Sequence, residues 1–193
     1  MTSEPQWTEA DLPAPLRAAI EAAVDKKARC PAVLRVNEIA GYTDYVLLLS
    51  GRSERHVQGI TDGILDALAK LKVKPMGTDG LEEHTWDLLD YDDFLVHVFF
   101  HPVRKFYDLE RMWSDAPRVP LALPDEVYDE SDLLGLTPPD PMPGFRGTPE
   151  FGGFADEFDD EDDAPPSQRL ERPETPPHVA ADHGDADDAL FDE

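Results

Sequence analysis

Residues 45–53 read YVLLLSGRS, and this stretch decides the fold. Tyr45–Leu49 is apolar at every position, which is typical of a strand that is buried on both faces of a sheet. The apolar run ends at Ser50-Gly51, and Ser53 is a favourable N-cap for a helix over Glu54–Leu71, whose apolar residues recur at helical spacing. The stretch therefore predicts a central strand followed by a helix that packs on the sheet.

The segments on either side of this unit alternate between helical and extended patterns. An amphipathic helix is predicted over Asp11–Ala28, and a strand rich in β-branched residues is predicted over Ala32–Ile39. After the central helix, Val73–Met76 is predicted as an edge strand, because Pro75 lacks the N–H that a central strand would need. A turn over Gly77–Gly80 then leads into the second half of the domain.

The second half begins with two strand-like runs, Thr85–Tyr91 and Phe94–Phe100, which are separated only by Asp92-Asp93. This spacing predicts an antiparallel hairpin. A final helix with an aromatic side is predicted over Pro102–Trp113. Together these elements predict an α/β domain that consists of a single mixed β-sheet with flanking helices.

Charge is distributed unevenly along the chain. Residues 1–117 carry 20 acidic and 13 basic side chains, whereas residues 118–193 carry 22 acidic and 4 basic ones and 12 of the 19 prolines. A segment so rich in proline and charge cannot bury enough apolar surface to offset the entropy of ordering. We therefore expect a domain over residues 1–117 and a disordered, proline-rich acidic tail over residues 118–193.

The cellular location can also be predicted from composition. Cys30 is the only cysteine, which excludes an internal disulfide and is consistent with a reducing compartment. The segment Met1–Leu12 lacks the features of a signal or transit peptide, and the apolar run Tyr45–Leu49 is far shorter than a membrane span. We expect a cytoplasmic protein with no membrane segment.

The enzymatic alternative is a metal-dependent nucleotidyltransferase, because that superfamily opens a helix with a Gly-Ser turn and holds magnesium on paired aspartates. Here the turn is reversed to Ser50-Gly51, and no Asp-x-Asp pair lies inside a strand. The histidines do not have the spacing of a zinc site. The candidate residues for these roles are Asp87, Asp90, Asp92, Asp93, His84, His97 and His101. We therefore expect no catalytic residues, no metal and no cofactor.

A protein partner is more consistent with the composition than nucleic acid is. Phosphate binding requires a basic face, and the domain is mildly acidic, so we expect no direct sequence-specific binding of nucleic acid. The region from Trp86 to Trp113 is dense in aromatic and acidic side chains. Aromatic anchors within a polar rim are typical of interface hot spots. The sequence therefore indicates a binding module for a basic protein, although many of these aromatics are also candidates for the core.

Four motifs in order resemble the ribosomal silencing factor family, also called RsfS or Iojap, over about residues 15–117. The motifs are Asp44-Tyr45 to Ser50-Gly51 with Ser53 to Val57, Trp86 to Tyr91, Val96 to Phe99, and Phe106 to Trp113. The long acidic tail is not a feature of that family.

The resemblance implies a nucleotidyltransferase-like fold without catalysis, and a protein that is often a homodimer. It also implies a translational repressor that binds the large ribosomal subunit through ribosomal protein L14 and blocks subunit joining. The partner-binding residues that follow from the family's motifs are Trp86, Leu89, Asp90, Tyr91, Tyr107, Asp108 and Glu110.

Overall fold

The computed structural model describes residues 7–143, which form one mixed β-sheet with helices on both faces. This architecture confirms the predicted α/β class. The helices are α1 (Ala14–Asp25), α2 (Glu54–Lys70), α3 (His101–Tyr107) and α4 (Leu109–Met112), with single 3₁₀ turns at Glu9–Asp11 and Asp125–Tyr128. The strands are β1 (Arg29–Arg35), β2 (Tyr45–Gly51), β3 (Gly77–Asp79), β4 (Trp86–Asp90), β5 (Phe94–Phe100) and β6 (Arg118–Val119).

The six strands lie in the order β3-β4-β5-β2-β1-β6. Strands β2 and β5 are parallel, with Tyr45 opposite Phe94, and all other neighbours are antiparallel. A parallel pair needs a long crossover, which here includes α2 and the β3-β4 hairpin. The predicted hairpin of β4 and β5 is confirmed, with Trp86 opposite Phe99.

The central strand is buried as its sequence predicts. Val46, Leu47, Leu48 and Leu49 of β2 have no exposed surface. Leu47 and Leu49 point to one face of the sheet, and Val46 and Leu48 point to the other. Because both faces of this strand are covered, truncation of any of these leucines to alanine should cost about 2–5 kcal/mol of stability.

Helices α1 and α2 cover the first face of the sheet. Ile60 and Ile64 of α2 pack with Leu16 and Ile20 of α1 in one core, and all four are essentially fully buried. Ser53 caps α2 as predicted, because its Oγ accepts a hydrogen bond from the backbone N–H of His56 at 3.2 Å. Helices α1 and α2 therefore shield this face of the sheet from solvent.

The second face of the sheet is covered by α3 and α4, which replace the single helix predicted over residues 102–113. The break lies at Asp108, whose φ of 43° is in the left-handed region. Aspartate tolerates this conformation better than most residues because its short side chain can bond locally. Leu109 and Trp113 then turn back onto the sheet, where they join Leu48 and Phe99 in a second core.

Two predicted strands are displaced in the structure. The first strand covers Arg29–Arg35 rather than residues 32–39. The edge strand covers Gly77–Asp79, where the sequence predicts a turn, and residues 73–76 only approach the sheet. The pairing to β4 begins when the backbone N–H of Met76 donates to the Asp90 carbonyl at 2.7 Å, so regular pairing starts just after the proline.

The structure also differs from the predicted domain boundary at residue 117. Arg118–Val119 pairs with β1 as the sixth strand, and Leu133 is only 2% exposed. Average composition over residues 118–193 hides a few apolar anchors that lie within the first part of that segment. The remainder of the predicted tail, residues 144–193, lies outside the described residues, so its disorder stays a prediction.

Candidate functional site

The second face of the sheet carries a contiguous layer of aromatic rings, here called the aromatic face. The ring of Trp86 lies 4.8 Å from that of Phe99 and 4.8 Å from that of Tyr107, measured between centroids. The rings of Phe106 and Tyr107 meet edge to face at 5.1 Å. The aromatic face consists of Trp86, Phe99, Phe106, Tyr107 and Trp113. Strands β4 and β5 supply its inner members, and α3 with the segment after it supplies the outer ones.

A buried histidine holds the centre of this face. The indole Nε1 of Trp86 donates a hydrogen bond to Nδ1 of His97 at 3.1 Å, and the imidazole is only 2% exposed. Burial lowers the pKa of His97 to about 3, so the ring is neutral at physiological pH and carries its proton on Nε2. The hydrogen bond and the neutral ring together fix the orientation of Trp86 under the surface.

The outer edge of the aromatic face is open to solvent. Phe106 is 62% exposed and Met112 is 47% exposed, both on the side of α3 and α4. Single exposed apolar residues are ordinary, but these two adjoin a packed aromatic layer. Exposed aromatic and methionine side chains at such a place are the composition that protein interfaces favour.

An acidic groove adjoins the aromatic face at the β3-β4 edge of the sheet. It has a volume of about 290 Å³. Trp86 and Leu88 belong to its apolar part, and Asp79, Glu82 and Glu83 form what we call its acidic rim. Such an arrangement is suited to an arginine or lysine side chain, since its cation can pair with the acidic residues of the rim.

Four of the seven predicted partner-binding residues lie on the side of the sheet that carries the aromatic face. Trp86 and Asp90 lie on the same side of β4 by strand alternation, and Tyr107 contacts Trp86. Trp86 is 8% exposed, whereas Asp90 and Tyr107 are half-buried and Asp108 is exposed. Trp86 therefore supports the surface from beneath, and the other three are accessible on it.

The other three predicted residues are held by the fold. Leu89 is fully buried in the first core, and Tyr91 stacks on Phe94 in that core with ring centroids 4.9 Å apart. Strand alternation places Leu89 on the opposite face from Trp86. Glu110 is half-buried and accepts a hydrogen bond from the Arg104 guanidinium.

Sequence reasoning did not select the acidic rim or the exposed apolar edge as sites. Glu82 and Glu83 precede the hairpin as an acidic pair, which could have drawn attention, but only the structure shows that they flank Trp86. Met112 has no sequence signal beyond its place in a predicted helix, and the structure shows that it is exposed after the break at Asp108.

Of the candidates for a catalytic or metal site, Asp87 and His84 are engaged with each other, whereas Asp92 and Asp93 are exposed. Asp87 is fully buried, where its Oδ2 accepts from Thr61 Oγ1 at 2.6 Å and lies 2.9 Å from His84 Nδ1. Burial raises the pKa of Asp87, and its two hydrogen-bond partners only partly oppose this. Among residues 7–143, no three His, Cys, Asp or Glu side chains lie together in a way that could hold a metal ion.

Ser50 is also enclosed. Its Oγ lies 3.2 Å from His101 Nδ1 and accepts from Arg104 Nη1 at 3.1 Å, and the serine has no exposed surface. Arg104 also donates to the carbonyl of Cys30, whose thiol pKa burial raises to about 11. These groups form a structural network that ties the start of β1 to the end of β2. In the part of the chain that the structure describes, no helix is long and apolar enough to cross a membrane.

Comparison with known proteins agrees with the fold and the motifs. A family model described as "Ribosomal silencing factor during starvation" matches residues 9–134. The ribosomal silencing factor RsfS of Halalkalibacterium halodurans is 35% identical over 106 residues, which cover 55% of this chain and 91% of that protein. RsfS of Bacillus subtilis is 35% identical over 102 residues, covering 53% and 86%.

A crystal structure of a Bacillus halodurans protein is similar at 33% identity with a TM-score of 0.50, and the match covers 55% of this chain and 96% of that one. The sheet, the order of its motifs and the family match over well more than half of the sequence lead to the same conclusion. The chain belongs to the ribosomal silencing factor family, RsfS.

Proposed function

We propose that this chain is a cytoplasmic translational repressor that binds the large ribosomal subunit on ribosomal protein L14 and blocks joining of the small subunit. Relatives named as ribosomal silencing factors support a role on the ribosome. The observation that carries the proposal is the combination of an exposed apolar edge and an acidic groove around Trp86. This combination is suited to a basic protein partner.

The exposed apolar edge supplies the anchors. Phe106 and Met112 project from α3 and α4 with 62% and 47% of their surface exposed. Truncation of an anchoring aromatic residue at an interface typically costs about 2 kcal/mol or more. Tyr107 and Asp108 adjoin these anchors, so we assign them to the same contact.

The acidic rim supplies specificity and speed rather than most of the affinity. The groove has three acidic residues, Asp79, Glu82 and Glu83. Asp90 lies on the same face of β4 as Trp86. Complementary charges chiefly raise the association rate and reject partners of the wrong sign. This role predicts a rate that falls with added salt.

The apolar anchors can be tested with a matched pair of substitutions. Full-length protein should co-sediment with isolated large subunits, and Phe106→Ala should weaken binding about 30-fold, the equivalent of about 2 kcal/mol. Leu71→Ala is the control, because Leu71 is 51% exposed at the end of α2, which packs on the opposite face of the sheet. Equal affinity of the two variants would contradict the assignment of Phe106.

The acidic rim can be tested in the same way. Glu82→Gln with Glu83→Gln should slow association at low salt, and the difference from wild type should shrink as salt is raised. The control combines Glu21→Gln with Asp66→Asn, which remove two exposed charges from the helices on the opposite face. If the control slows association equally, net charge rather than the groove governs the approach. The predicted homodimer stays a prediction, which sedimentation of the free protein would test.

A further inference from the structure

The chain after β6 runs back across the domain to the aromatic face. Two carboxylates fasten it on the way: Glu130 Oε1 lies 3.1 Å from Lys105 Nζ, and Asp132 Oδ2 lies 3.0 Å from Arg29 Nη2. Leu133 is buried beside them with 2% exposure. Beyond these tethers the chain reaches the second face of the sheet at Met142 and Pro143.

The end of this segment contacts the aromatic face and lines the acidic groove. The hydroxyl of Tyr107 donates a hydrogen bond to the carbonyl of Pro143. Met142 packs against the core that includes Trp86 and Trp113, and Pro143 forms part of the wall of the acidic groove beside Trp86. A hydrogen bond and a packing contact therefore hold the end of the segment on the surface that we assign to the partner, and Pro143 narrows the groove there.

The composition of the segment suits this position. Residues 136–143 read LTPPDPMP, so four of the eight residues are proline. Proline restricts the free chain, so less conformational entropy is lost when the segment docks, and proline-rich segments bind aromatic-lined grooves in other proteins. The aromatic face and the groove offer such a lining.

We infer that residues 136–143 are an autoinhibitory strap that occupies part of the partner surface and must leave before the ribosomal partner binds at full affinity. This inference rests on the proposed function of that surface. The strap and the partner cannot both occupy Tyr107 and the groove beside Trp86. A strap that is docked about nine-tenths of the time reduces the apparent affinity about 10-fold, because only the open fraction is competent to bind.

The strap can be tested in the full chain by one neutral substitution and its matched control. Met142→Ser removes the packing against the aromatic face without changing charge. Met76→Ser makes the same chemical change at a methionine that is 75% exposed before β3. Affinity for isolated large subunits and hydrogen exchange over residues 103–109, which include Tyr107, are measured for both variants and for wild type.

We expect Met142→Ser to bind large subunits up to about 10-fold more tightly than wild type, with faster exchange in residues 103–109, while Met76→Ser matches wild type in both. Equal binding by all three proteins would overturn the strap and leave the proposed function standing. Unchanged exchange in Met142→Ser would also overturn it, because the segment would not be held by that contact. If none of the three proteins binds, the proposed function fails and the inference fails with it.

Discussion

Replacement of His97 by asparagine should change how the stability of the domain depends on pH. Burial lowers the pKa of His97 to about 3, whereas an unfolded chain leaves it near 6.5. As pH falls below about 6.5, the unfolded state takes up a proton that the folded state refuses. Well below pH 6.5 the free energy of unfolding therefore falls by about 1.4 kcal/mol for each pH unit, and the total loss between roughly pH 6.5 and 4.5 is about 2 kcal/mol.

The asparagine variant removes this titration but keeps an acceptor for the indole. Its Oδ1 stands close to the position of the imidazole Nδ1, which accepts from Trp86 Nε1. At neutral pH the variant should be less stable by about 2 kcal/mol, because the ring contacts of His97 with Phe99 and Trp113 are lost. The deficit should disappear near about pH 5, and below that the variant should be the more stable protein.

Urea unfolding of the two proteins at a series of pH values measures this difference directly. Titrations shared by both proteins cancel in it, so the comparison isolates the single imidazole. A difference in unfolding free energy that stays constant from neutral pH to about pH 4.5 would refute the reasoning. It would mean that His97 accepts a proton in the folded state and is not held neutral by burial.

Two further predictions concern the fold that carries the aromatic face. Gly80→Ala should cost about 3 kcal/mol or more, because φ is +80° and an added Cβ would lie 1.9 Å from the Trp86 carbonyl oxygen. Gly41→Ala is the control, with a φ of +71° and nothing within 4 Å of the added Cβ, and thermal unfolding should show a loss of only about 1 kcal/mol. Asp87→Asn should become less stable relative to wild type as pH falls toward about 4. Burial raises the pKa of Asp87, so the wild-type protein takes up a proton on folding in this pH range and gains stability that the asparagine variant lacks. The free energy of unfolding of both proteins is measured with urea at a series of pH values, and an equal pH dependence in the two proteins would contradict this prediction.

The central part of the fold could be predicted because local pattern and tertiary role agree there. Tyr45–Leu49 is apolar at every position and is buried on both faces, and Ser53 caps the helix that its hydroxyl suggests. The alternation in β5 was also predictable. Phe94 and Val96 face α1 and α2, and Leu95 faces the opposite core.

The candidate site was harder to predict because a motif does not state which face each residue takes. Trp86 and Leu89 belong to one motif, yet strand alternation places them in different cores. The helix breaks at Asp108, and Met112 after the break is 47% exposed, neither of which the helical spacing of residues 102–113 indicates. The composition of residues 118–193 predicts disorder, yet β6 and the buried Leu133 lie in the first part of this segment, because a few apolar residues can anchor a chain of otherwise polar composition.

The central proposal is tested most directly by joining purified ribosomal subunits in the presence of the full-length protein. After separation on a gradient, we expect the protein with the large-subunit peak and a reduced peak of joined ribosomes, with the reduction growing as more protein is added. Phe106→Ala should reduce the effect, and Leu71→Ala should leave it intact. A protein that sediments free, or that travels equally with both subunits while joining proceeds normally, would contradict the account.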